Sequence, residues 1–141
     1  MIKTDIIIIG AGPVGLFTVF EAGLLKLKCH LIDALPQTGG QCAEIYPKKP
    51  IYDIPGYPSI LASELVDKLM KQIEPFNPGF TLGETAQTIK KNSDGDFIIK
   101  TTQGTSIKAP VVAIAGGLGV FTPRKPNISN LESFENDKVF Y

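Results

Sequence analysis

The chain has few of the residues that carry redox or metal chemistry. Its 141 residues include only two cysteines, Cys29 and Cys42, and one histidine, His30. The cysteines lie 13 residues apart, so the Cys-x-x-Cys spacing of a redox-active dithiol is excluded. A single histidine argues against a metal site. We therefore predict that both cysteines are small, buried thiols.

The chain also lacks an excess of charge of either sign. Its 14 basic and 14 acidic residues balance, so no basic field would recruit nucleic acid or a membrane surface, and we expect neither as a partner. No run of 18 apolar residues is present, which argues against a membrane-spanning helix. The apolar run near Met1 follows Asp5 and is broken by Gly10 and Gly12, so we expect no export signal and a cytoplasmic location.

Hydrophobic periodicity predicts an α/β fold. Predicted helices cover residues 14–26 and 62–74, and predicted strands cover residues 6–9, 29–33, 80–82, 85–91, 97–102, 105–108 and 111–115. The strands at 6–9 and 111–115 are of the buried type found in parallel sheets, whereas those from 85 to 108 are joined by tight turns and indicate a three-stranded antiparallel meander. Residues 42–59 have no clear period, residues 122–138 are predicted to be mostly loop, and residues 139–141 resemble the opening of a strand.

A Gly-x-Gly-x-x-Gly pattern, formed by Gly10, Gly12 and Gly15, joins the first predicted strand to the first predicted helix. This context makes the pattern specific for a dinucleotide-binding turn. Gly10 permits the tight turn, Gly12 lets the backbone approach a pyrophosphate, and Gly15 lets helix and strand pack closely. The helix start at Pro13 and Val14 then offers free N–H groups to phosphate oxygens.

Asp33 stands at the end of the next predicted strand, 18 residues after Gly15. A carboxylate there can accept hydrogen bonds from both ribose hydroxyls of an adenosine, and it would repel a 2′-phosphate. The site therefore suits FAD or NAD rather than NADP. The alternative is an aspartate that is merely solvated at a strand end.

Gly39, Gly40 and Gln41, with Tyr46 just beyond, form a second candidate region. Two glycines allow the backbone to pass against a flat ligand, Gln41 can donate to and accept from ring edges, and Tyr46 offers an aromatic face. A flexible loop with a packing tyrosine explains the same residues equally well.

Gly116 and Gly117 directly follow the buried strand at 111–115, and Phe121 lies just beyond. Glycines at this point bring backbone close to the end of the sheet, where nucleotides bind. A simple turn would also account for them.

Taken in order, these motifs resemble the thioredoxin-reductase-like ferredoxin–NADP reductases, a group of flavoproteins with two dinucleotide-binding domains. The resemblance covers essentially the whole chain and is carried by the glycine motif, the acidic strand end, Gly39-Gly40-Gln41, Ile45-Tyr46-Pro47, Ile51-Tyr52-Asp53-Ile54-Pro55-Gly56-Tyr57-Pro58, Ala115-Gly116-Gly117 and Phe121-Thr122-Pro123-Arg124-Lys125. It implies that residues 1–141 form a Rossmann-like FAD-binding domain.

The resemblance also implies a chemistry and a set of FAD contacts. By position, Asp33 would hold the adenosine ribose, Gln41 and Tyr46 would contact the flavin end, and Ala86 and Phe121 would line the site. The implied reaction is hydride exchange between NADPH and the flavin N5, followed by one-electron steps to ferredoxin or flavodoxin. Hydride transfer needs no side-chain acid or base, so no catalytic residue is assigned. Members of the family suggest a homodimer.

The chain departs from the family pattern by carrying one glycine motif where intact members carry two. We expect a truncated FAD-binding half, without the NADP-binding domain and the later FAD segment, that does not turn over NADPH by itself. Two other interpretations remain open. The chain could be the FAD domain of a thioredoxin reductase, because the Cys-x-x-Cys pair of those enzymes lies in the other domain, or it could be a nucleotide-binding module without catalysis.

Overall fold

The computed structural model describes residues 1–120, 125–135 and 137–139. The helices are α1 (Pro13–Leu24), α2 (Gln41–Glu44) and α3 (Ala62–Ile73), with 3-10 turns at Glu74–Phe76 and Leu131–Phe134. The strands are β1 (Ile2–Lys3), β2 (Ile6–Ile9), β3 (Cys29–Asp33), β4 (Pro50–Ile51), β5 (Ile60–Leu61), β6 (Gly79–Leu82), β7 (Ala86–Lys91), β8 (Phe97–Thr101), β9 (Ser106–Ala109) and β10 (Val111–Ile114).

A parallel sheet of four strands in the order β10-β2-β3-β6 forms the centre of the fold. Its strands are rich in β-branched residues, which suit a pleated sheet covered on both faces. Ile9 pairs with both Ile32 and Ile114 in register, so β2, β3 and β10 end side by side. The loops after these strands therefore meet at one edge, which is where open α/β sheets bind ligands.

One face of this sheet is covered by α1 and α3. Ile8, Leu16, Leu31 and Leu69 are among the buried residues of this larger core. The apolar stripe predicted for α3 from its 3.6-residue period is the face that packs inward. The helix passes into a 3-10 turn at Glu74 because Pro75 cannot continue the backbone hydrogen bonding.

The other face packs against a second sheet with the strand order β1-β9-β8-β7. The predicted meander of β7, β8 and β9 is antiparallel as expected. Its core joins Ile7 and Ile32 of the parallel sheet to Ile99 and Ile107 of the meander, all at most 1% exposed. The predicted α/β fold class, with parallel sheet, flanking helices and meander, is therefore confirmed.

Some elements differ from the sequence prediction. The region from 42 to 59, in which the sequence shows no period, contains most of α2 and the strand β4, which pairs antiparallel with β5. The first helix ends at Leu24 rather than near Lys26, because Lys26 adopts a positive φ of 62° that a helix cannot continue. Val139 forms an isolated bridge with Glu135, while residues 140 and 141 lie outside the described part of the chain.

Both cysteines are free and buried, as predicted. His30 is also buried, and its Nε2 lies 2.8 Å from the hydroxyl of Thr81 on the neighbouring strand. Among the described residues, no group of three or more His, Cys, Asp or Glu side chains is placed to hold a metal ion. Nor does any helix in those ranges combine the length and apolarity needed to cross a bilayer.

Candidate dinucleotide-binding site

A cavity of about 1080 Å³ opens at the edge of the parallel sheet where β2, β3 and β10 end. This volume is at the upper end of the range for small-molecule sites, as an extended dinucleotide requires. Eleven of the candidate residues discussed above line it, namely Gly10, Gly12, Pro13, Val14, Asp33, Gly40, Gln41, Tyr46, Ala86, Gly116 and Gly117. Phe121 lies outside the described residues. The fold thus brings together segments that are far apart in the sequence.

Gly15 is buried beneath the glycine turn and does not line the cavity. A Cβ at this position would overlap the carbonyl oxygen of Gly10 and would lie 3.0 Å from its carbonyl carbon. The close packing of helix on strand expected of Gly15 is therefore present. Gly10 itself has a φ of +108°, and a Cβ there would lie 2.7 Å from the carbonyl carbon of Ala115.

The N-terminus of α1 faces this cavity without a side-chain cap. Gly12 is the N-cap residue with an extended backbone, and Pro13, which has no N–H, occupies the first helical turn. The first helical hydrogen bond at this end runs from the N–H of Leu16 to the oxygen of Gly12, over 2.9 Å. The N–H groups of Val14 and Gly15 thus lack an intrahelical acceptor, and the positive end of the helix dipole lies beside them. This arrangement suits an anion such as a pyrophosphate.

The segment containing Gly39 and Gly40 packs directly on this turn. The N–H of Gly39 donates to the oxygen of Ala11 over 2.8 Å, and a Cβ on Gly40 would lie 3.2 Å from the Cα of Gly12. Both glycines have positive φ, at 109° and 53°. These two residues therefore form a backbone contact with the glycine turn from outside.

Gln41 is the first residue of α2 and reaches across the cavity. Its Nε2 lies 3.5 Å from the position that a Cβ on Gly117 would occupy. The side-chain amide thus stands between α2 and the turn after β10. An amide here has two donors and one acceptor for the edge of a ring system.

Tyr46 is half-buried, lines the cavity and also packs against the larger core. Desolvation raises the pKa of its hydroxyl, and the hydrogen-bonded thiol of Cys42 raises it further. Burial likewise raises the pKa of the Cys42 thiol. The ammonium group of Lys49 lies 5.1 Å from the centre of the Tyr46 ring. The packing role and the cavity-lining role considered for Tyr46 are thus both present.

Asp33 is tied into the loops around it. Its Oδ2 accepts a hydrogen bond from the N–H of Ala11 at 2.6 Å, and its Oδ1 accepts one from the N–H of Leu35 at 2.9 Å. The alternative of a merely solvated strand-end aspartate is therefore wrong. A carboxylate has about four acceptor positions, so lone pairs remain for a ligand in the cavity.

Glu84 also lines the cavity, although no sequence motif marks it. It lies just after β6, and its carboxylate accepts hydrogen bonds from the hydroxyls of Thr101 and Thr105. Its position beyond the carboxyl end of a parallel strand is the one signal that could have found it, because ligands bind beyond such strand ends. The predicted strand at 80–82 has only three residues, too few to identify it from the sequence as a strand of the parallel sheet. Glu84, two positions later, was therefore not predicted to lie at the site.

Comparison with known proteins places the chain beside one group of reductases. No protein-family model matches it. It is 72% identical to Ferredoxin–NADP reductase 1 of Christiangramia forsetii and 67% identical to the ferredoxin–NADP reductase of Flavobacterium johnsoniae, in each case over all of this chain and 40% of the other protein. The chain thus spans about two fifths of the length of the curated relatives it matches.

Solved structures that share the fold include thioredoxin reductases. Thioredoxin reductase of Streptococcus pyogenes aligns with a TM-score of 0.70 and 26% identity, over 94% of this chain and 40% of that one. Thioredoxin reductase of T. acidophilum aligns with a TM-score of 0.71 and 22% identity, over 95% and 41%. The resemblance of this chain to thioredoxin-reductase-like ferredoxin–NADP reductases is therefore confirmed along its full 141 residues, as a match to part of those proteins.

Proposed function

We propose that residues 1–141 form the FAD-binding domain of an NADPH-dependent flavoprotein reductase that passes electrons through FAD to ferredoxin or flavodoxin. The observation that carries the proposal is the convergence of the glycine turn, Asp33, Gln41 and Tyr46 on one cavity of about 1080 Å³. High identity to proteins named ferredoxin–NADP reductase supports the reaction class.

In this proposal the pyrophosphate of FAD binds at the start of α1. Gly12 leaves room for it, because a Cβ there would meet only the Cα of Gly40, at 3.9 Å. Val14 supplies an N–H group, Gly15 lets the helix pack close beneath the turn, and Asp33 accepts from the ribose hydroxyls. Gln41 and Tyr46 contact the flavin end. Ala86 and Gly116 line the same cavity, and the family resemblance adds Phe121, which lies outside the described residues, as a further FAD contact.

The chain's own contribution to the reaction is to bind, orient and shield. FAD, when bound, supplies the capacity to accept a hydride from NADPH and to release electrons singly. The residues of the cavity fix the position of the ring and limit access of water to it. We assign no catalytic acid or base, since hydride transfer does not require one.

Two alternatives from other classes are weaker. The fold is shared with thioredoxin reductases, but the identity to those structures is 26% or lower, against 72% for the ferredoxin reductases. A nucleotide-binding module without catalysis would need the same cavity. It has no separate observation in its favour.

Titration of purified chain with FAD tests the proposal. We expect quenching of flavin fluorescence, a shifted visible spectrum, and tighter binding of FAD than of NAD. A colourless protein that takes up no FAD yet binds NAD would overturn the cofactor assignment.

A second assay concerns turnover by this polypeptide. In a diaphorase assay with NADPH and a dye acceptor, we expect the 141-residue chain to show no activity, and steady NADPH oxidation would contradict that expectation. The homodimer and the cytoplasmic location remain predictions. Light scattering after size-exclusion chromatography measures the former.

A further inference from the structure

The charged side chains among the described residues that line the cavity are all acidic. Among the described residues that line it, the charged side chains are Asp33 and Glu84, and neither lysine, arginine nor histidine is present. Among these residues, a pyrophosphate would therefore meet backbone N–H groups and a helix terminus rather than a cationic side chain.

Asp33 and Glu84 are neighbours through the backbone. The N–H of Glu84 donates to the carbonyl oxygen of Asp33 over 3.1 Å, and the N–H of Gly83 donates to the oxygen of Leu35 over 2.9 Å. The chain beyond β6 is thus bonded to the chain beyond β3, in continuation of the register that pairs Asp33 with Leu82. Whatever ligand group Asp33 binds, Glu84 lies on the adjoining part of the wall.

The Glu84 carboxylate is held in place by a turn of the meander. The hydroxyl of Thr105 donates to its Oε1 over 3.1 Å, and the hydroxyl of Thr101 donates to its Oε2. The backbone N–H of Thr105 in turn donates to the hydroxyl oxygen of Thr101 over 3.0 Å. The Thr101 hydroxyl thus accepts from Thr105 and donates its own proton to Glu84. Thr101 is only 3% exposed. A carboxylate fixed on both oxygens cannot swing away to make room for another anion.

We propose that Glu84 is a second specificity-determining residue of the site, which together with Asp33 excludes nucleotides that carry a 2′-phosphate. The inference rests on the proposed function. A reductase that consumes NADPH must keep that nucleotide out of its FAD site, and both contain the same adenosine diphosphate half. Because Glu84 lines the same cavity and its backbone N–H is bonded to the Asp33 carbonyl oxygen, a 2′-phosphate beside Asp33 would be repelled by the charge of Glu84 as well.

The test compares 5′-ADP with adenosine 2′,5′-bisphosphate as competitors of FAD on the purified chain. Wild type should prefer 5′-ADP. Glu84→Gln, which keeps the shape and the acceptor oxygen, should reduce this preference by about three- to tenfold. Glu21→Gln removes an equal charge from the exposed side of α1 and should leave the preference unchanged.

A second measurement does not depend on any variant folding. The wild-type preference should shrink as potassium chloride is raised, because charge repulsion carries it. A preference that is insensitive to salt, or that survives Glu84→Gln unchanged, would overturn the role of Glu84. Failure of wild type to bind either FAD or 5′-ADP would instead overturn the proposed function, so the two failures are distinguishable.

Discussion

The carboxylate of Asp33 accepts a hydrogen bond of 2.6 Å from the backbone N–H of Ala11, in the middle of the glycine turn. Ala11 is fully buried, and its N–H points across to the next strand of the sheet. The same side chain thus closes the turn and faces the cavity. A residue expected to recognise a ribose is therefore also part of the framework that holds the glycine turn.

Substitution Asp33→Asn should affect both roles. We expect the Kd for FAD to rise at least about tenfold, because hydrogen bonds to a charged acceptor are worth ~1.5–3 kcal/mol. The unfolding free energy should fall by about 1–2 kcal/mol, since an amide can accept from only one of the two N–H groups that the carboxylate serves. Calorimetric titration and urea denaturation measure the two effects. Asp67→Asn on the exposed face of α3 is the control and should change neither.

Substitution Gly15→Ala should destabilise the fold severely. Its Cβ would overlap the carbonyl oxygen of Gly10, which is a backbone atom and cannot rotate aside like the end of a flexible side chain. We expect a loss of about 3 kcal/mol or more in unfolding free energy. Gly116→Ala is the matched control, because a Cβ there meets nothing within 4 Å. Equal melting temperatures for the two variants would contradict the packing role of Gly15.

Substitution Gly12→Ala should separate binding from stability. The nearest atom to the new Cβ is 3.9 Å away and the backbone has a φ of −74°, so the ligand-free protein should lose less than about 1 kcal/mol. The Cβ would nevertheless stand where the pyrophosphate approaches the turn. FAD fluorescence titration should show at least a tenfold weaker Kd. Unaltered affinity would argue against a phosphate position beside Gly12.

The two thiols should be protected from reagents in the folded chain. Burial, and next the charge of Asp5, raises the pKa of Cys29 to about 11, and burial also raises the pKa of Cys42. Because the thiolate is the reacting species, modification by a disulfide reagent near pH 8 should be slow until denaturant is added. The variant Cys42→Ala isolates Cys29 in this assay. Rapid reaction of native Cys29 at that pH would contradict its burial.

Stability should decline on the acid side because of His30. Burial lowers the pKa of this imidazole below its ordinary 6.5. Below that pH, His30 is therefore protonated more readily in the unfolded chain than in the folded chain. The contribution of His30 to the unfolding free energy is fully present above pH 6.5 and is lost as the pH falls below that value. The unfolding free energy then changes by up to about 1.4 kcal/mol per pH unit. His30→Gln should flatten that slope in urea denaturation. NMR can follow the titration directly, since the chain has one histidine.

Long, periodic elements could be predicted from the sequence, whereas short ones could not. The strands β2 and β3 and the stripe of α3 have enough residues for a pattern to emerge. The two-residue strands β1 and β4 have none. The parallel pairing of β1 with β9 depends on residues more than 100 positions apart, and no local signal reports it.

The site was predictable where glycine or charge comes directly after a strand, and less so elsewhere. Gly10, Gly12 and Asp33 lie where the motif requires them to lie. The contact between Gly40 and Gly12 could not be foreseen, because two glycines in a loop do not reveal which backbone they approach. The carboxylate of Glu84 is held in position by hydrogen bonds from the hydroxyls of Thr101 and Thr105. Such partnerships arise from tertiary packing, which single-sequence patterns do not encode.

The support that Ala115 gives to Gly10 has a consequence for how the protein is made. The N–H of Ala115 donates to the oxygen of Ile9 over 2.8 Å, and its carbonyl packs beneath Gly10. These contacts therefore join Ile9 and Gly10 to Ala115, a residue synthesised about 100 positions later. While the chain is still growing, the glycine turn has been translated long before its support emerges from the ribosome. The glycine turn therefore gains this support only after translation has passed β10.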